Sequence, residues 1–522
     1  MSEGSYNAVT WLLDRNVEDG RGGKLVFDDT VSRLTYGELQ RETRRAANML
    51  RRLGVRREER VAMIMLDTVD FPIVFLGAIR AGIVPVPLNT LLTADQYAYI
   101  LADCRARVLF VSEALYPVIK DVVGRMPDLE HVVVSGAKQN GHKQLAEELA
   151  DESDQFTTAA THPDEPAFWL YSSGSTGMPK GVRHLHSNMQ ATADTYAKQV
   201  LGIRESDVCL SAAKLFFAYG LGNALTFPMS VGATVVLNSE RPTPARMFDL
   251  MNRYNPSIFY GVPTLFASML NDETMKSERG GKSLRICTSA GEALPESVGN
   301  SWKARFGVDI LDGVGSTELL HIFLSNAPGD IKYGSSGKPV PGYAVRLVNE
   351  AGQDVADGEV GELLVDAPSA GEGYWNQRHK SRRTFEGPWT RTGDKYVRDG
   401  EGRYTFLRPR RRHVQGVRHL GLAVRGRERA DHASRRAGSR RRAGSRSGRP
   451  AEAEGLRRAA PRRGDGGLAG DAEGARQAED RPVEIPALDR RGGVAAEDGD
   501  GEDPAIQIAR GRKLAIGRHG WA

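Results

Sequence analysis

The feature that most limits what this chain can fold into is a break after Leu407. Of its 37 Phe, Trp and Tyr residues, only Trp521 lies beyond that point. Residues 408–522 hold 26 Arg, one Lys and 16 acids, a net charge of +11, whereas residues 1–407 hold 44 basic and 50 acidic residues, a net of −6. A segment with so little apolar surface cannot offset the entropy of ordering its own backbone. The sequence therefore predicts a mildly acidic globular body over 1–407 and an Arg/Gly/Ala-rich, disordered tail over 408–522. The whole-chain charge of +5 averages two unlike parts and says little about partners. Within the body, 407 residues are too many for a single core, so more than one subdomain is expected.

No run of about 18 apolar residues appears, so no membrane span is expected. The opening MSEGSYNAVTWLLDRN lacks the basic and apolar stretches of a secretory leader. Cys104, Cys209 and Cys287 are far apart, odd in number and form no CxxC. That argues against a disulfide scaffold or a Cys-based metal site and fits a reducing cytoplasm.

The body alternates short apolar runs with helix-like stretches. Strands are expected at Arg60–Leu66, Arg107–Ser112, His131–Ser135, Ala167–Tyr171, Ala233–Leu237, Ser257–Tyr260 and Ser283–Thr288. Tyr36–Leu53 and Asp95–Asp103 read as helices. Such alternation predicts α/β layers on mostly parallel sheets. After about Gly334 the pattern becomes short strands among Gly, Pro and Asp turns, as at Tyr343–Val348 and Glu359–Val365, which predicts a small β subdomain.

The strongest chemical signal is YSSGSTGMPKG at Tyr171–Gly181, directly after the apolar PAFWL. Glycines let a backbone approach a polyanion, and successive N–H groups form an anion-binding nest. Ser172, Ser173, Ser175 and Thr176 add hydroxyls, Gly174 and Gly177 give the loop its freedom, and Lys180 adds a positive charge. A bare Gly/Ser loop is as often a solvated turn. The whole string at this spacing is what points to a pyrophosphate or triphosphate cradle. It is not a Walker A loop, because no Gly-Lys-Ser/Thr follows at the required spacing.

This string resembles the phosphate-loop signature of the adenylate-forming superfamily, which includes acyl-CoA synthetases, luciferases and peptide-synthetase adenylation domains. Three further segments resemble later signatures of that family, in its order: DGVGSTE at Asp312–Glu318, GEL at Gly361–Leu363 with Gly373-Tyr374-Trp375, and WTRTGD at Trp389–Asp394. The resemblance covers residues 1 to about 407. It implies two doubly wound α/β subdomains plus a small β subdomain, with a small α+β C-terminal domain to follow. It also implies binding of ATP, Mg²⁺ and coenzyme A. Asp312, Gly313, Ser316 and Thr317 would line the nucleotide, and Asp394, in a turn, would take the ribose hydroxyls as acidic residues do in nucleotide folds. Glu318 would bind Mg²⁺. Lys180, Thr317 and Glu318 would carry the chemistry.

The acid site is read from KLFFAYGLG at Lys214–Gly222. Amino-acid-activating relatives place an aspartate there for the substrate ammonium. Here Phe216, Phe217, Ala218 and Tyr219 offer an apolar lining, in which an unpaired ammonium would be costly. With TSAGEALP at 288–295 and GVGSTELLHIF at 313–323, the string looks like benzoate–CoA and 4-hydroxybenzoate–CoA ligases. That resemblance implies a pocket of Phe217, Ala218, Tyr219, Ala290, Gly315, His321 and Ile322. Phe216, Phe217 and His321 can equally be core residues, and His184 and His186 have no assigned role. The implied chemistry is attack of an aromatic carboxylate on the α-phosphorus of ATP, then displacement of AMP by the CoA thiol. A swinging C-terminal domain would supply a lysine to the first step.

The resemblance stops at Tyr404-Thr405-Phe406-Leu407, where Arg408-Pro409-Arg410-Arg411-Arg412 follows in place of the family's Gly-Arg and paired Asp. Arg412–Leu422, RHVQGVRHLGL, admits codons whose second-base frame reads DMFKVSGIWV, as these ligases do at this point. Pro482–Asp489 with its neighbours yields GPWKYPRW in that frame. Ala496–Arg510 yields PKTATGKIQRFKLRE, the family's closing lysine motif. One such match is weak because codons are degenerate, but three in one constant frame are not. The tail is therefore expected to be an out-of-frame reading of the C-terminal domain, with ligase activity impaired in the chain as written. Alternatives that stay open are a synthetase for another carboxylic acid, a non-catalytic ATP- or acid-binding remnant, and a natural basic arm at 408–522. The expected partners are small molecules, without specific nucleic acid or membrane, for a monomer or homodimer.

Overall fold

The structure, a computed structural model, describes residues 4–139, 141–172, 178–272 and 281–407. Ser173, Gly174, Ser175, Thr176 and Gly177 of the expected phosphate cradle, and the whole 408–522 tail, lie outside the described residues.

Two sheets carry the body. The first is parallel, with Val84–Pro87, Arg60–Ile64, Val108–Ser112, His131–Ser135 and Lys143–Gln144 side by side in that order. Alternate residues of its strands pack to opposite faces. Val61, Met63, Val108 and Phe110 join the large core that includes Tyr36–Arg52 and Asp70–Arg80. Ala62, Ile64, Leu109 and Val111 join a second core with Ala94–Cys104. The second sheet repeats the scheme: Cys209, Ile258 and Tyr260 face one core, and Leu210, Phe259, Cys287 and Ile310 face another. Both sheets are thus covered on both faces, as a doubly wound arrangement requires.

The second sheet is mixed rather than simply parallel. Its middle pairs Val208–Ser211, Thr234–Val236, Ile258–Gly261, Ile286–Ser289 and Ile310–Gly315 in parallel. Antiparallel strands close both ends, Arg33–Thr35 at one and Ile322–Ser325 with Lys338–Pro339 at the other. Leu25–Asp28 joins this sheet beside Thr234–Val236, an early segment paired with a late one, which no local pattern announces. Residues after 343 form the small antiparallel sheet the sequence predicts, with Ala344–Val348, Val360–Asp366 and Trp389–Arg398 adjacent.

A third, small antiparallel sheet positions the chemistry. Pro166–Ser172 pairs with Lys180–Leu185, which pairs in turn with Gly373–Tyr374. It thereby fastens the first and third signature segments together. The sequence reading places no strand after the Gly-rich loop, because KGVRHL mixes polar and apolar residues without a long apolar run.

Candidate active site

The strand that leads to Ser172 is held by side chains. The Tyr171 hydroxyl donates to Asp103 Oδ2 at 2.6 Å, and Trp169 packs against Trp375 with ring centroids 4.8 Å apart. At the rim, four side chains meet. Glu318 Oε1 accepts from Tyr374 Oη at 2.8 Å and from Ser172 Oγ at 3.2 Å. Lys180 Nζ stands 3.8 Å from the same oxygen, 3.1 Å from the Tyr374 hydroxyl and 4.2 Å from the centre of its ring. Burial pulls the Lys180 pKa below the usual lysine value, and the Glu318 carboxylate opposes that shift. The structure therefore brings Ser172, Lys180 and Glu318 into one corner, from segments some 146 residues apart in sequence.

Glu318 reaches the corner through a tight reversal. Ile310–Gly315 runs antiparallel to Ile322–Ser325, so Asp312, Gly313 and Gly315 lie within a strand. A Cβ on Gly315 would come within 2.5 Å of the His321 carbonyl oxygen, so only glycine fits there. Leu320 adopts a left-handed backbone, φ 65°, that few L-residues favour. The Ser316 hydroxyl accepts the Leu319 N–H at 3.2 Å, a local turn bond. Thr317 is half-buried beside Glu318. Asp312 is buried and accepts the Leu294 N–H at 3.3 Å, and its Oδ1 has no partner among the described residues. Burial raises its pKa to about 7, so it behaves as a buried acid rather than an exposed anion. Asp394 sits in a bulge of Trp389–Arg398, not in a free turn; burial, then the nearby Glu318 charge, raise its pKa.

The apolar residues divide between two cores. Ala290 and Ile322 belong to one buried cluster against which the partly buried Tyr219 packs, Ala218 packs against the other large core, and the Phe217 ring lies tilted against the buried Phe216 with centroids 4.4 Å apart. Tyr219 Oη and Thr288 Oγ1 are 2.6 Å apart. His321 lies 3.3 Å from the Tyr219 carbonyl and packs among Tyr196, Tyr219 and Phe227. Gly222 makes room for it, since a Cβ there would lie 2.4 Å from His321 Cδ2. Burial lowers the His321 pKa to about 3, so the ring is neutral and the lining carries no charge. Its Nδ1, like both side-chain polar atoms of the fully buried Asn223, has no hydrogen-bond partner among the described residues.

His184 and His186 are core residues. His184 stacks on Phe168 at 5.0 Å, His186 Nδ1 accepts the Ala8 N–H at 3.2 Å, and burial lowers both pKa values to about 4. Tyr374, Asn223 and Thr288 are the residues that sequence reasoning did not single out. Tyr374 and Thr288 lay in quoted strings without being singled out; Asn223 carries no signal visible without the fold.

Mg²⁺ suits the corner. This ion keeps several waters and takes one or two carboxylates plus substrate phosphates. Glu318 presents one half-buried carboxylate beside the strand end from which the Gly-rich loop departs. Among the described residues no cluster of three or more His, Cys, Asp or Glu forms a metal cage, and no helix is long and apolar enough to cross a membrane.

A family model described as AMP-binding enzyme matches residues 13–375. The chain is 55% identical over 403 residues to a benzoate–CoA ligase of Thauera aromatica, covering 77% of this chain and 76% of that one. It is 53% identical over 401 residues to a 4-hydroxybenzoate–CoA/benzoate–CoA ligase of Rhodopseudomonas palustris, covering 77% and 74%. Among solved structures, a benzoate CoA ligase from Burkholderia xenovorans aligns with a TM-score of 0.73 at 48% identity, covering 77% of this chain and 79% of that one.

Proposed function

The chain belongs to the AMP-binding enzyme family, and from that premise we propose that its body is the acid-activating part of an ATP-dependent aromatic acid–CoA ligase acting on benzoate or 4-hydroxybenzoate. The observation that carries the substrate class is the uncharged lining, in which His321 is buried and neutral and Tyr219, Ala290 and Ile322 close an apolar wall. A flat ring is accommodated there and an ammonium is not.

In this reading Lys180, Ser172 and the residues 173–177 hold the phosphates of ATP. Glu318 holds Mg²⁺, which supplies charge neutralisation when bound. Thr317 and Ser316 flank the phosphates, with Asp312 and Gly313 lining the nucleotide and Asp394 taking the ribose. In this reading the ring of the acid lies against Tyr219 and His321, and its carboxylate meets the nucleotide. Positioning and fixed charge then supply most of the rate, as in other phosphoryl chemistry. We place the protein in the cytoplasm, acting on small molecules alone as a monomer or homodimer. Residues 408–522 are read as an out-of-frame stretch in place of the lid, so thioester formation by the chain as written is nearly abolished and adenylation strongly reduced.

The test is benzoate- and 4-hydroxybenzoate-dependent ATP–pyrophosphate exchange, followed by thioester formation, for this chain and for one whose tail is read in the shifted frame. Weak exchange here and full thioester output from the reframed chain are expected. Equal thioester output from both would refute the role given to the tail. Acid binding without exchange in either protein would favour a non-catalytic remnant.

A further inference from the structure

Tyr374 stands where Lys180 and Glu318 meet, on a segment far from either in sequence. Its backbone is fixed to the strand that carries Lys180. Gly373 and Tyr374 pair with Arg183 and Val182, Trp375 N–H donates to the Gly181 carbonyl at 2.8 Å, and Gly371 N–H donates to the Glu318 carbonyl at 2.8 Å. The Tyr374 N–H donates to Ser381 Oγ at 2.9 Å, and its ring meets the Phe385 edge at 5.4 Å. The residue is 5% exposed. So placed, its hydroxyl has little freedom. It gives its one proton to Glu318 Oε1 at 2.8 Å and accepts from Lys180 at 3.1 Å.

The consequence lies in the asymmetry of the Glu318 carboxylate. Ser172, Tyr374 and Lys180 all address Oε1. Among the described residues Oε2 has no hydrogen-bond partner. A carboxylate held by two hydroxyl donors on one oxygen cannot rotate without losing both bonds, so its other oxygen keeps one direction. Hydrogen bonds of this kind orient a ligating carboxylate much as outer partners orient metal ligands elsewhere.

We propose that Tyr374 is a positioning residue for the divalent cation of the nucleotide corner: it fixes Glu318 through Oε1 so that Oε2 is presented to Mg²⁺, and it holds the Lys180 ammonium over its ring beside the same site. The inference rests on reading Lys180 and Glu318 as the ATP–Mg²⁺ groups. It adds a role for a residue that touches neither ion nor phosphate in that reading.

The experiment uses the full chain and equilibrium binding rather than turnover. Binding of a fluorescent ATP analogue is titrated with Mg²⁺ for the wild type and for Tyr374→Phe, which keeps the ring under Lys180 and removes only the hydroxyl. A hydrogen bond to a charged acceptor is worth enough to raise the Mg²⁺ midpoint roughly tenfold, while binding of the analogue in EDTA changes little. Ser172→Ala, which removes the other hydroxyl on Oε1, is expected to shift the midpoint in the same direction and by less. It serves as the test if Tyr374→Phe does not fold. A Tyr374→Phe midpoint equal to that of the wild type overturns the positioning role and leaves the nucleotide site standing. A wild type that shows no Mg²⁺-linked binding overturns the nucleotide reading, and the role of Tyr374 with it.

Discussion

At the nucleotide corner, Glu318 Oε1 is shared by two hydroxyls and faces an ammonium at 3.8 Å. In the acid pocket, His321 touches one carbonyl and three aromatic rings and leaves Nδ1 unpaired. The corner is held by directional polar contacts between half-buried groups, which a bound polyanion and cation must partly exchange. The pocket is held by clearance: glycines at 222 and 315 allow His321 and its strand to approach closely, and a ligand leaves that packing untouched. Changes at the corner should therefore cost chemistry more than stability, and changes in the pocket should cost both.

The largest effect tests the first half of that contrast. Lys180→Met removes the ammonium but leaves Glu318 with Ser172 and Tyr374. Loss of a fixed charge where charge develops costs on the order of 100-fold or more in rate, so pyrophosphate exchange by a chain with the shifted-frame tail should fall by at least that factor. Stability should change by only about 1 kcal/mol, because the ammonium stands 3.8 Å from the carboxylate and burial already opposes its charge, so the pair contributes little net energy. A melting transition that collapses along with activity would break the contrast.

Gly222→Ala tests the second half. The new Cβ would sit 2.4 Å from His321 Cδ2 and 2.6 Å from Nε2, so the imidazole or the helix backbone must shift. Overpacking of this kind costs about 1–3 kcal/mol. The variant should melt earlier and bind benzoate several-fold more weakly, with affinity for Mg²⁺-ATP unchanged. Calorimetric titration with each ligand separates the two sites; equal weakening of both would show that the pocket and corner are not independent.

Much of this was legible in the sequence because the α/β pattern is local. Apolar runs such as His131–Ser135 are the strands they look like, and Tyr36–Leu53 forms the helix Tyr36–Arg52 behind the Thr35 capping box. The site residues were legible as motifs, through resemblance more than through periodicity. What escaped is non-local. Pairing of Leu25–Asp28 with Thr234–Val236 and docking of Tyr374 on Val182 join segments far apart in the chain, and no window of neighbouring residues encodes such contacts. Asp394 was misplaced in a turn for a related reason: Thr-Gly-Asp reads as turn chemistry, yet here it forms a bulge inside a long strand held by Val360–Asp366.

The smallest effect is one of sign. Burial holds His321 neutral down to a pKa of about 3, and His184 and His186 to about 4. Each has a folded-state pKa below its unfolded value of about 6.5, so the unfolded chain binds more protons. The stability these histidines contribute is present above about pH 6.5 and is lost as pH falls toward 4. Asp312 and Asp67 act in the opposite sense. Burial raises their pKa values to about 7 and about 6, so their contribution is greatest at low pH and declines as pH rises through those values. Burial also raises the pKa values of Asp394 and Asp70, which act with Asp312 and Asp67, so the two sets largely oppose each other as pH falls below 6. Tm measured across that range should change only modestly. Asp67→Asn keeps an oxygen to accept the Leu215 N–H, now at 3.3 Å from each carboxylate oxygen, while removing one opposing proton, so its acid limb should be steeper. A limb no steeper than that of the wild type would mean that Asp67 is charged in the folded protein, held so by the Lys214 ammonium that already opposes its shift, and that this buried carboxylate, like Glu318 at the corner, answers to a lysine.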